Sequence, residues 1–276
     1  MFKIINSTIK CHEIRHLHIE NKKKPILLFI PGNLQEIETI KSFNEGFSRA
    51  FDYYALELPG TGHTSPLHPS YDVGYLAEIL LEFVETYIDA PFNLVTCSYG
   101  TAIGIEFAKS NSQLLDNLVL AGSMREIPLS EWPTVLGLMA DCLRDPSKFA
   151  GDFMTLLTDT TVDIPRQKTI IKATKRRALQ YTSDQFWCFI FNSIRLMSYR
   201  PNVDELTKIQ CPTLCFTGEY DPYVTKERCR ELAQLIPNST YTTLPNTDHL
   251  FHIEDPQATI ALISDYLRQK LKIKAA

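Results

Sequence analysis

The chain lacks several features that would each point to a particular class of protein. Its 276 residues carry a net charge of −4 and have no basic stripe with interleaved aromatics, which argues against nucleic-acid binding. The longest uninterrupted apolar runs are only strand length, too short for a transmembrane helix. Residues 1–6 lack the apolar core of a signal peptide. Seven cysteines, an odd number without a regular framework, favour a reducing compartment, and we expect a cytoplasmic protein.

One segment has the features expected around a reactive serine. Residues 93–97 form a short apolar run, Ser98 follows in a tight turn, and residues 99–108 have a helical pattern. A serine at such a strand-to-helix turn is exposed and lies beside backbone N–H groups that can stabilise an oxyanion. Gly100 fits this geometry, but Thr96 stands where the common pattern G-x-S-x-G has glycine. We interpret Cys97 as inert packing, because its thiol would point away from the base that serves Ser98.

A serine nucleophile needs a histidine as base and a carboxylate that orients the histidine. Asp221 lies just past a β-rich run at residues 212–217, and His249 lies in the loop after a short strand at residues 240–244. Both positions are at carboxyl ends of strands, where the functional groups of open α/β sheets gather. The alternatives are His252 in the same block and Asp204, which precedes its strand rather than following it.

The rest of the chain predicts a mostly parallel sheet flanked by helices. Residues 26–30 read as a strand buried on both faces, residues 53–58 as the next strand, and residues 75–88 as a helix. A 44% hydrophobic content is enough for the core of one enzyme domain of this length. The backbone N–H groups of Asn33, after the first of these strands, and Tyr99, after the serine, are predicted to form an oxyanion hole.

Five blocks carry a resemblance across nearly the whole chain: FIPGN, LPGTGHTSP, CSYG, TGEYD and DHLFHIEDP. In order and spacing they resemble the α/β-hydrolase superfamily. The resemblance implies the α/β-hydrolase fold with an inserted helical cap, and a triad of Ser98, Asp221 and His249. The superfamily pattern places the base before the Glu-x-Pro end of the last block, which favours His249 over His252.

Residues 217–254 resemble, more narrowly, the acyltransferases of rhamnolipid biosynthesis. That family joins two 3-hydroxyacyl groups taken from acyl carrier protein. It also tolerates a residue other than glycine at the position of Thr96. The narrower resemblance therefore implies acyl carrier protein as a partner.

Residues 126–205 form a long excursion that we interpret as a helical cap, inserted between core segments 1–125 and 206–276. Aromatic residues at helical spacing, including Trp187 and Phe191, are interpreted either as packing or as the lining of an acyl tunnel. The cap also carries a cluster of basic residues: Lys168, Lys172, Lys175, Arg176 and Arg177. This cluster is either a solvated helix face or a docking site for an acidic carrier protein.

Three functions fit these residues. Acyl transfer through an acyl-enzyme on Ser98, joining 3-hydroxyacyl groups, is favoured by the narrower resemblance and the apolar cap. Hydrolysis of an ester or lactone uses the same triad with water as acceptor. A catalytically idle binding protein is disfavoured by the complete triad. We expect no cofactor and no metal; His12, His16 and His18 alternate on one strand face that we expect to be exposed, and we identify no further ligands there.

Overall fold

The computed structural model describes the backbone of residues 3–275 and the side chains of residues 3–269. Its strands are β1 (Ile4–Ile9), β2 (His12–Ile19), β3 (Ile26–Ile30), β4 (Asp52–Glu57), β5 (Phe92–Cys97), β6 (Leu115–Ala121), β7 (Thr213–Gly218) and β8 (Ser239–Leu244). Its α-helices are α1 (Lys41–Ser48), α2 (Val73–Tyr87), α3 (Tyr99–Asn111), α4 (Trp132–Arg144), α5 (Pro146–Leu157), α6 (Gln167–Ala178), α7 (Ser183–Ser198), α8 (Val203–Leu206), α9 (Lys226–Gln234), α10 (Phe251–Glu254) and α11 (Pro256–Ala275).

The strands form one sheet in the order β1-β2-β4-β3-β5-β6-β7-β8. β2 pairs antiparallel with β1 and β4, and the remaining neighbours pair parallel. The predicted mostly parallel sheet flanked by helices is therefore confirmed. Because β5, β7 and β8 run in the same direction, the loops that follow them leave the same edge of the sheet.

Helices cover both faces of the sheet, which explains why the central strands are continuously apolar. Leu28 and Leu94 face a core that includes side chains of α2, α3 and α9. Their neighbours Phe29 and Val95 face the opposite core, which includes side chains of α1 and α11. Side chains that alternate along a strand thus fill two separate cores, and the turns at the strand ends are held between them.

The amino-terminal histidines lie on one face of β2, but the prediction that this face is exposed is wrong. His16 is buried against Phe83 and Tyr87, because α2 packs across β2. His12 contacts Tyr75 from the same helix, and His18 forms a hydrogen bond with Asp52. Their aromatic and polar partners give these histidines a packing role.

The predicted cap interval, residues 126–205, contains helices α4 to α7 in full, and the short α8 follows at its end before β7. Aromatic side chains of α5 and α7, among them Phe149, Phe186 and Phe189, form a separate small core. The division of the chain into a cap and a core remains a prediction, although these helices do lie in the predicted interval. No helix in residues 3–275 combines the length and the apolar character required to cross a membrane.

Candidate active site

Ser98 occupies the sharp turn between β5 and α3. Its backbone has φ 48° and ψ −115°, in a region that is strained for a residue other than glycine. A hydrogen bond from its N–H to the carbonyl of Ala121 (2.8 Å) holds the turn. A Cβ on Gly100 would lie 2.9 Å from the carbonyl oxygen of Pro31, so this position requires glycine. The turn leaves the Ser98 side chain partly exposed.

Two hydrogen bonds connect Ser98 to Asp221 through His249. Ser98 Oγ lies 2.9 Å from His249 Nε2, and His249 Nδ1 lies 2.7 Å from Asp221 Oδ2. The carboxylate of Asp221 also accepts bonds from Thr217 Oγ1 (2.6 Å) and from the N–H of Val224 (2.8 Å). Such an arrangement lets the imidazole take the serine proton while the carboxylate fixes its tautomer and orientation.

The electrostatic environment favours a basic imidazole. Burial opposes a charge on His249, but the adjacent Asp221 carboxylate outweighs it and raises the pKa of the histidine. A second pair of buried acids, Asp248 and Glu254, lies beside the histidine in the chain. Burial and the nearby Asp248 raise the pKa of Glu254 to about 8, so Glu254 is mainly protonated at neutral pH. Glu254 Oε2 accepts the Asp248 N–H at 2.8 Å, which holds the loop that carries His249.

The alternative acid, base and nucleophile do not join this arrangement. His252 forms a hydrogen bond with Gln35 instead (3.0 Å), and burial lowers its pKa to about 3. Asp204 lies at the start of α8 on the exposed surface. Burial raises the pKa of Cys97 to about 12, so its thiol remains protonated and unreactive.

Thr96 replaces the first glycine of the usual pattern, and a glycine on the facing helix provides the space. A Cβ on Gly104 would lie 2.8 Å from Thr96 Cγ2. The hydroxyl of Thr96 donates to the carbonyl of Val119 (3.1 Å), which satisfies its polar group inside the sheet. β5 and α3 therefore approach closely with the small residue on the helix rather than on the strand.

The two predicted oxyanion residues lie beside the serine. Tyr99 is the first residue of α3, so its N–H precedes the intrahelical hydrogen bonds and is directed out of the helix. Asn33 follows β3, where the N–H of the preceding Gly32 is bonded to Gln35 Oε1 (2.7 Å). Both Asn33 and Tyr99 line the same cavity as Ser98 and His249. Their role as an oxyanion hole, which needs both N–H groups directed at the developing charge, stays a prediction.

The cavity over Ser98 contains about 1170 Å³ of empty space, part of it open to solvent. The space within it that the centre of a water-sized molecule can occupy is about 190 Å³. Its apolar lining comes mainly from the helices between β6 and β7 and includes Leu138, Phe153, Met154, Leu157 and Phe189. A substrate that reaches Ser98 therefore lies against hydrocarbon on the side of these helices.

Comparison with known proteins agrees with this geometry. The family model of the alpha/beta hydrolase fold matches residues 25–256. The chain belongs to this family. It is 26% identical over 217 residues to pyrrolizixenacetamide deacetylase from Xenorhabdus hominickii, covering 76% of this chain and 78% of that protein. It is 25% identical over 249 residues to poly(3-hydroxyalkanoate) depolymerase from Ectopseudomonas oleovorans, covering 89% and 85%.

Among solved structures, the alpha/beta hydrolase enzyme MGS-M2 from a Medee basin deep-sea metagenome library shares the fold. It superposes with a TM-score of 0.83 at 18% identity, over 94% of this chain and 95% of that chain. Family membership and the named relatives identify the present chain as an enzyme.

Within this alpha/beta hydrolase, Trp187 and Phe191 are not part of the cavity lining, contrary to the tunnel interpretation. On α7, the side chains that line the cavity are Phe189, Ser193 and Leu196, which share one helix face. Trp187 and Phe191 are each two residues from Phe189, and at roughly 100° per residue this places them on the opposite face. There they contact each other, and Phe191 also packs on His68.

The basic cluster divides in the same way. Lys168, Lys172 and Arg176 are exposed along one face of α6, and Lys175 is half-buried beside them. Arg177 lies on the other face, lines the cavity and forms an ion pair with the buried Glu36. Arg177 is therefore not available to a docking partner together with the three exposed residues.

Glu36, Glu38 and His63 lie close enough together to offer three metal ligands. Their carboxylates already have cationic partners in Arg177 and Arg15, and His63 Nε2 lies 3.2 Å from Glu36. These ion pairs give the group a structural role in holding the loop after β3, and we assign no metal to it.

Sequence reasoning missed several residues that shape the site. Gln35 bonds both Gly32 and His252, and the buried Glu57 accepts the N–H groups of Ile37 and His63. Gly62 was a signal for Glu57, because a Cβ at this glycine would lie 2.0 Å from the Glu57 carboxyl carbon. The contacts of Gln35 join segments far apart in the chain, so no local pattern indicates them.

Proposed function

We propose that this alpha/beta hydrolase cleaves a carboxylic ester that carries an apolar acyl group, through an acyl-enzyme on Ser98. The observation that carries the proposal is the hydrogen-bonded series Ser98, His249 and Asp221, which opens into an apolar cavity. The same series with a polar cavity would fit a different substrate class.

In the first half of the reaction Ser98 Oγ attacks the ester carbonyl and its proton passes to His249 Nε2. The resulting oxyanion accepts hydrogen bonds from the N–H groups of Asn33 and Tyr99. When the intermediate collapses, the C–O bond to the alcohol breaks and the alcohol takes the proton from His249. In the second half, water repeats the attack, releases the carboxylic acid and regenerates Ser98.

The named relatives support hydrolysis with water as acceptor. They are a depolymerase and a deacetylase, and the first is named for a polymer of 3-hydroxyalkanoate units. Such a polymer is an ester between the hydroxyl of one 3-hydroxyacyl unit and the carboxyl of the next. A 3-hydroxyacyl ester with an apolar chain is accordingly the substrate class that we propose.

A second candidate is transfer of a 3-hydroxyacyl group from an acyl carrier protein thioester to another 3-hydroxyacyl hydroxyl. The specific observation in its favour is the exposed basic face of α6, formed by Lys168, Lys172 and Arg176. An acidic carrier would be attracted to such a face. Hydrolysis and transfer share the acyl-enzyme and differ only in whether water or a second hydroxyl reaches it.

One experiment separates the two candidates. The purified protein is incubated with a dimeric 3-hydroxyacyl ester, a simple aryl ester and a 3-hydroxyacyl carrier-protein thioester, and the products are identified by mass. Hydrolysis predicts free 3-hydroxy acids from the dimeric ester. Transfer predicts that the dimeric ester forms from the thioester. The Ser98→Ala variant is the control, and product formation that persists in it would contradict both candidates.

A further inference from the structure

Arg195 of α7 is a buried cation whose hydrogen-bond acceptors are neutral. Only 2% of the residue is exposed. Its guanidinium donates to the carbonyls of Leu67 (2.9 Å), His68 (3.2 Å) and Tyr71 (2.6 Å). It also donates to two side chains, Asn192 Oδ1 (2.6 Å) and Tyr99 OH (3.1 Å). Burying a charge without an anionic partner is costly, so a packing role alone is a weak explanation for an arginine here.

The two side-chain contacts of Arg195 lead to both oxyanion residues. Arg195 bonds the hydroxyl of Tyr99 directly. Asn192, held by Arg195 through its Oδ1, donates through Nδ2 to Asn33 Oδ1 (3.0 Å) and to the carbonyl of Gly60 (2.8 Å). Three hydrogen bonds therefore connect Tyr99, Arg195, Asn192 and Asn33 in series. Neither Arg195 nor Asn192 lines the cavity over Ser98.

We infer that Arg195 and Asn192 are positioning residues that hold the two oxyanion donors in register. The inference rests on the proposed serine chemistry. An oxyanion donor acts only when its N–H is directed at the place where the charge develops. Tyr99 begins α3 and Asn33 lies in the loop after β3, and the network fixes the side chains of both against α7. Helix α7 thereby sets the separation between the backbone N–H groups of Asn33 and Tyr99, although neither group belongs to this helix.

The network has a different consequence from an ordinary structural contact. A contact that merely holds α7 in place would, when lost, lower the melting temperature and change substrate binding. Loss of oxyanion alignment lowers kcat with little change in KM, because the donors bind the transition state more strongly than the ester carbonyl.

The mildest test is Tyr99→Phe, which removes only the hydroxyl that Arg195 bonds. Arg195→Lys keeps the charge but loses the branched donor geometry, and Asn192→Ala removes the connection to Asn33. We expect each variant to lower kcat on an aryl ester by about 5- to 100-fold and to change KM by no more than about twofold. This loss of kcat does not exceed the loss that follows removal of one oxyanion donor. Affinity for an alkyl trifluoromethyl ketone, which forms an oxyanion on the serine, falls in parallel with kcat/KM.

The matched control is Cys188→Ala on the same helix. Cys188 is buried and contacts the carbonyl of Thr64, so its replacement by alanine removes another contact of α7 with the loop after β4 and removes none of the three hydrogen bonds of the network. We expect its kcat to remain at the wild-type value. A melting temperature is measured for every variant, and a fall in kcat that follows the melting temperature in the control as well would overturn the inference.

A double variant tests the connection itself. If Arg195 acts through the Tyr99 hydroxyl, the double variant Tyr99→Phe/Arg195→Lys loses less kcat than the product of the two single losses predicts. Fully multiplicative losses, or losses confined to KM, would overturn the inference. Labelling with a fluorophosphonate separates this result from the proposed function. A protein that does not label at Ser98 lacks the serine chemistry, whereas wild-type labelling with an unaffected kcat in the variants refutes only the positioning role.

Discussion

The sheet edge and helix α7 both contribute to the site, but they place their side chains by different rules. At the sheet edge, Ser98, Asp221 and His249 each follow a parallel strand, and the strand ends bring the three residues together. On α7, the direction of a side chain depends on the rotation of the whole helix. Phe189 lines the cavity, whereas Trp187 does not. A short motif therefore locates a residue at a strand end, but composition alone does not select the face of a helix.

The largest expected effect tests the sheet edge. Ser98→Ala and His249→Ala should each lower kcat by roughly 10³ or more, because neither residue works without the other. His252→Ala should retain most activity, since His252 bonds Gln35 rather than the serine. Steady-state kinetics on an aryl ester measure all three. Inactivation by His252→Ala with a mild effect of His249→Ala would show that the base is assigned wrongly.

The difference between the sheet edge and α7 also explains how much of the fold and of the site could be predicted from the sequence. The sheet, its central strands and the helix after Ser98 were confirmed, because apolar periodicity and turn residues are local signals. The three residues that the sequence motifs predict as a triad are also the ones that hydrogen bonds join at the sheet edge. The space that accommodates Thr96 was not predictable, since it depends on Gly104 across a strand-to-helix contact.

The residues of helices α6 and α7 were harder to assign. The aromatic character of Trp187 and Phe191 alone suggests a place in the cavity lining, and the position of Arg177 in the chain groups it with its basic neighbours. To decide which of these residues face the cavity, one must know how each helix is rotated about its axis. That rotation is set by packing against partners distant in the chain, here Glu36 for Arg177 and His68 for Phe191.

The second prediction concerns stability at the sheet edge. Burial raises the pKa of Glu254 to about 8, above the value of 4.5 for an unperturbed glutamate. The folded protein therefore binds a proton that the unfolded chain releases, and this stabilisation is complete below pH 4.5 and is lost as the pH rises toward 8. We expect Glu254→Gln to reduce the fall in unfolding free energy between pH 5 and 8 by at least about 1.4 kcal/mol, the equivalent of one pKa unit.

Urea denaturation at several pH values measures this difference. Glutamine keeps the side-chain oxygen that accepts the Asp248 N–H, so the loop before His249 should remain intact. Exposed Glu78→Gln is the control and should leave the pH dependence unchanged. Identical pH profiles for wild type and Glu254→Gln would show that Glu254 ionises normally in the folded state.

The third prediction tests the two faces of α7. Phe189→Ala should enlarge the cavity and shift the preferred acyl chain to longer esters, with a gain of about 0.8 kcal/mol, or about fourfold in kcat/KM, per additional buried methylene. Trp187→Ala, on the opposite face, should leave the chain-length profile unchanged. A series of aryl esters of increasing acyl length measures both. A changed chain-length preference in the Trp187 variant but not in the Phe189 variant would show that the acyl chain binds on the Trp187 face of α7, contrary to this prediction.

The smallest expected effect concerns the exposed face of α6, where the only interaction tested is long-range electrostatic attraction. If Lys168 and Lys172 attract an acidic carrier, the double variant Lys168→Glu/Lys172→Glu should lower kcat/KM for a carrier-bound thioester by about threefold to tenfold and leave a small aryl ester unaffected. The loss should shrink at high salt, because exposed charges are screened beyond about 8 Å at physiological ionic strength. The matched control reverses Lys22 and Lys41, two exposed lysines in the part of the chain before β4. Equal losses in both double variants would reflect net charge alone, and no loss in either would make the α6 lysines an ordinary solvated face.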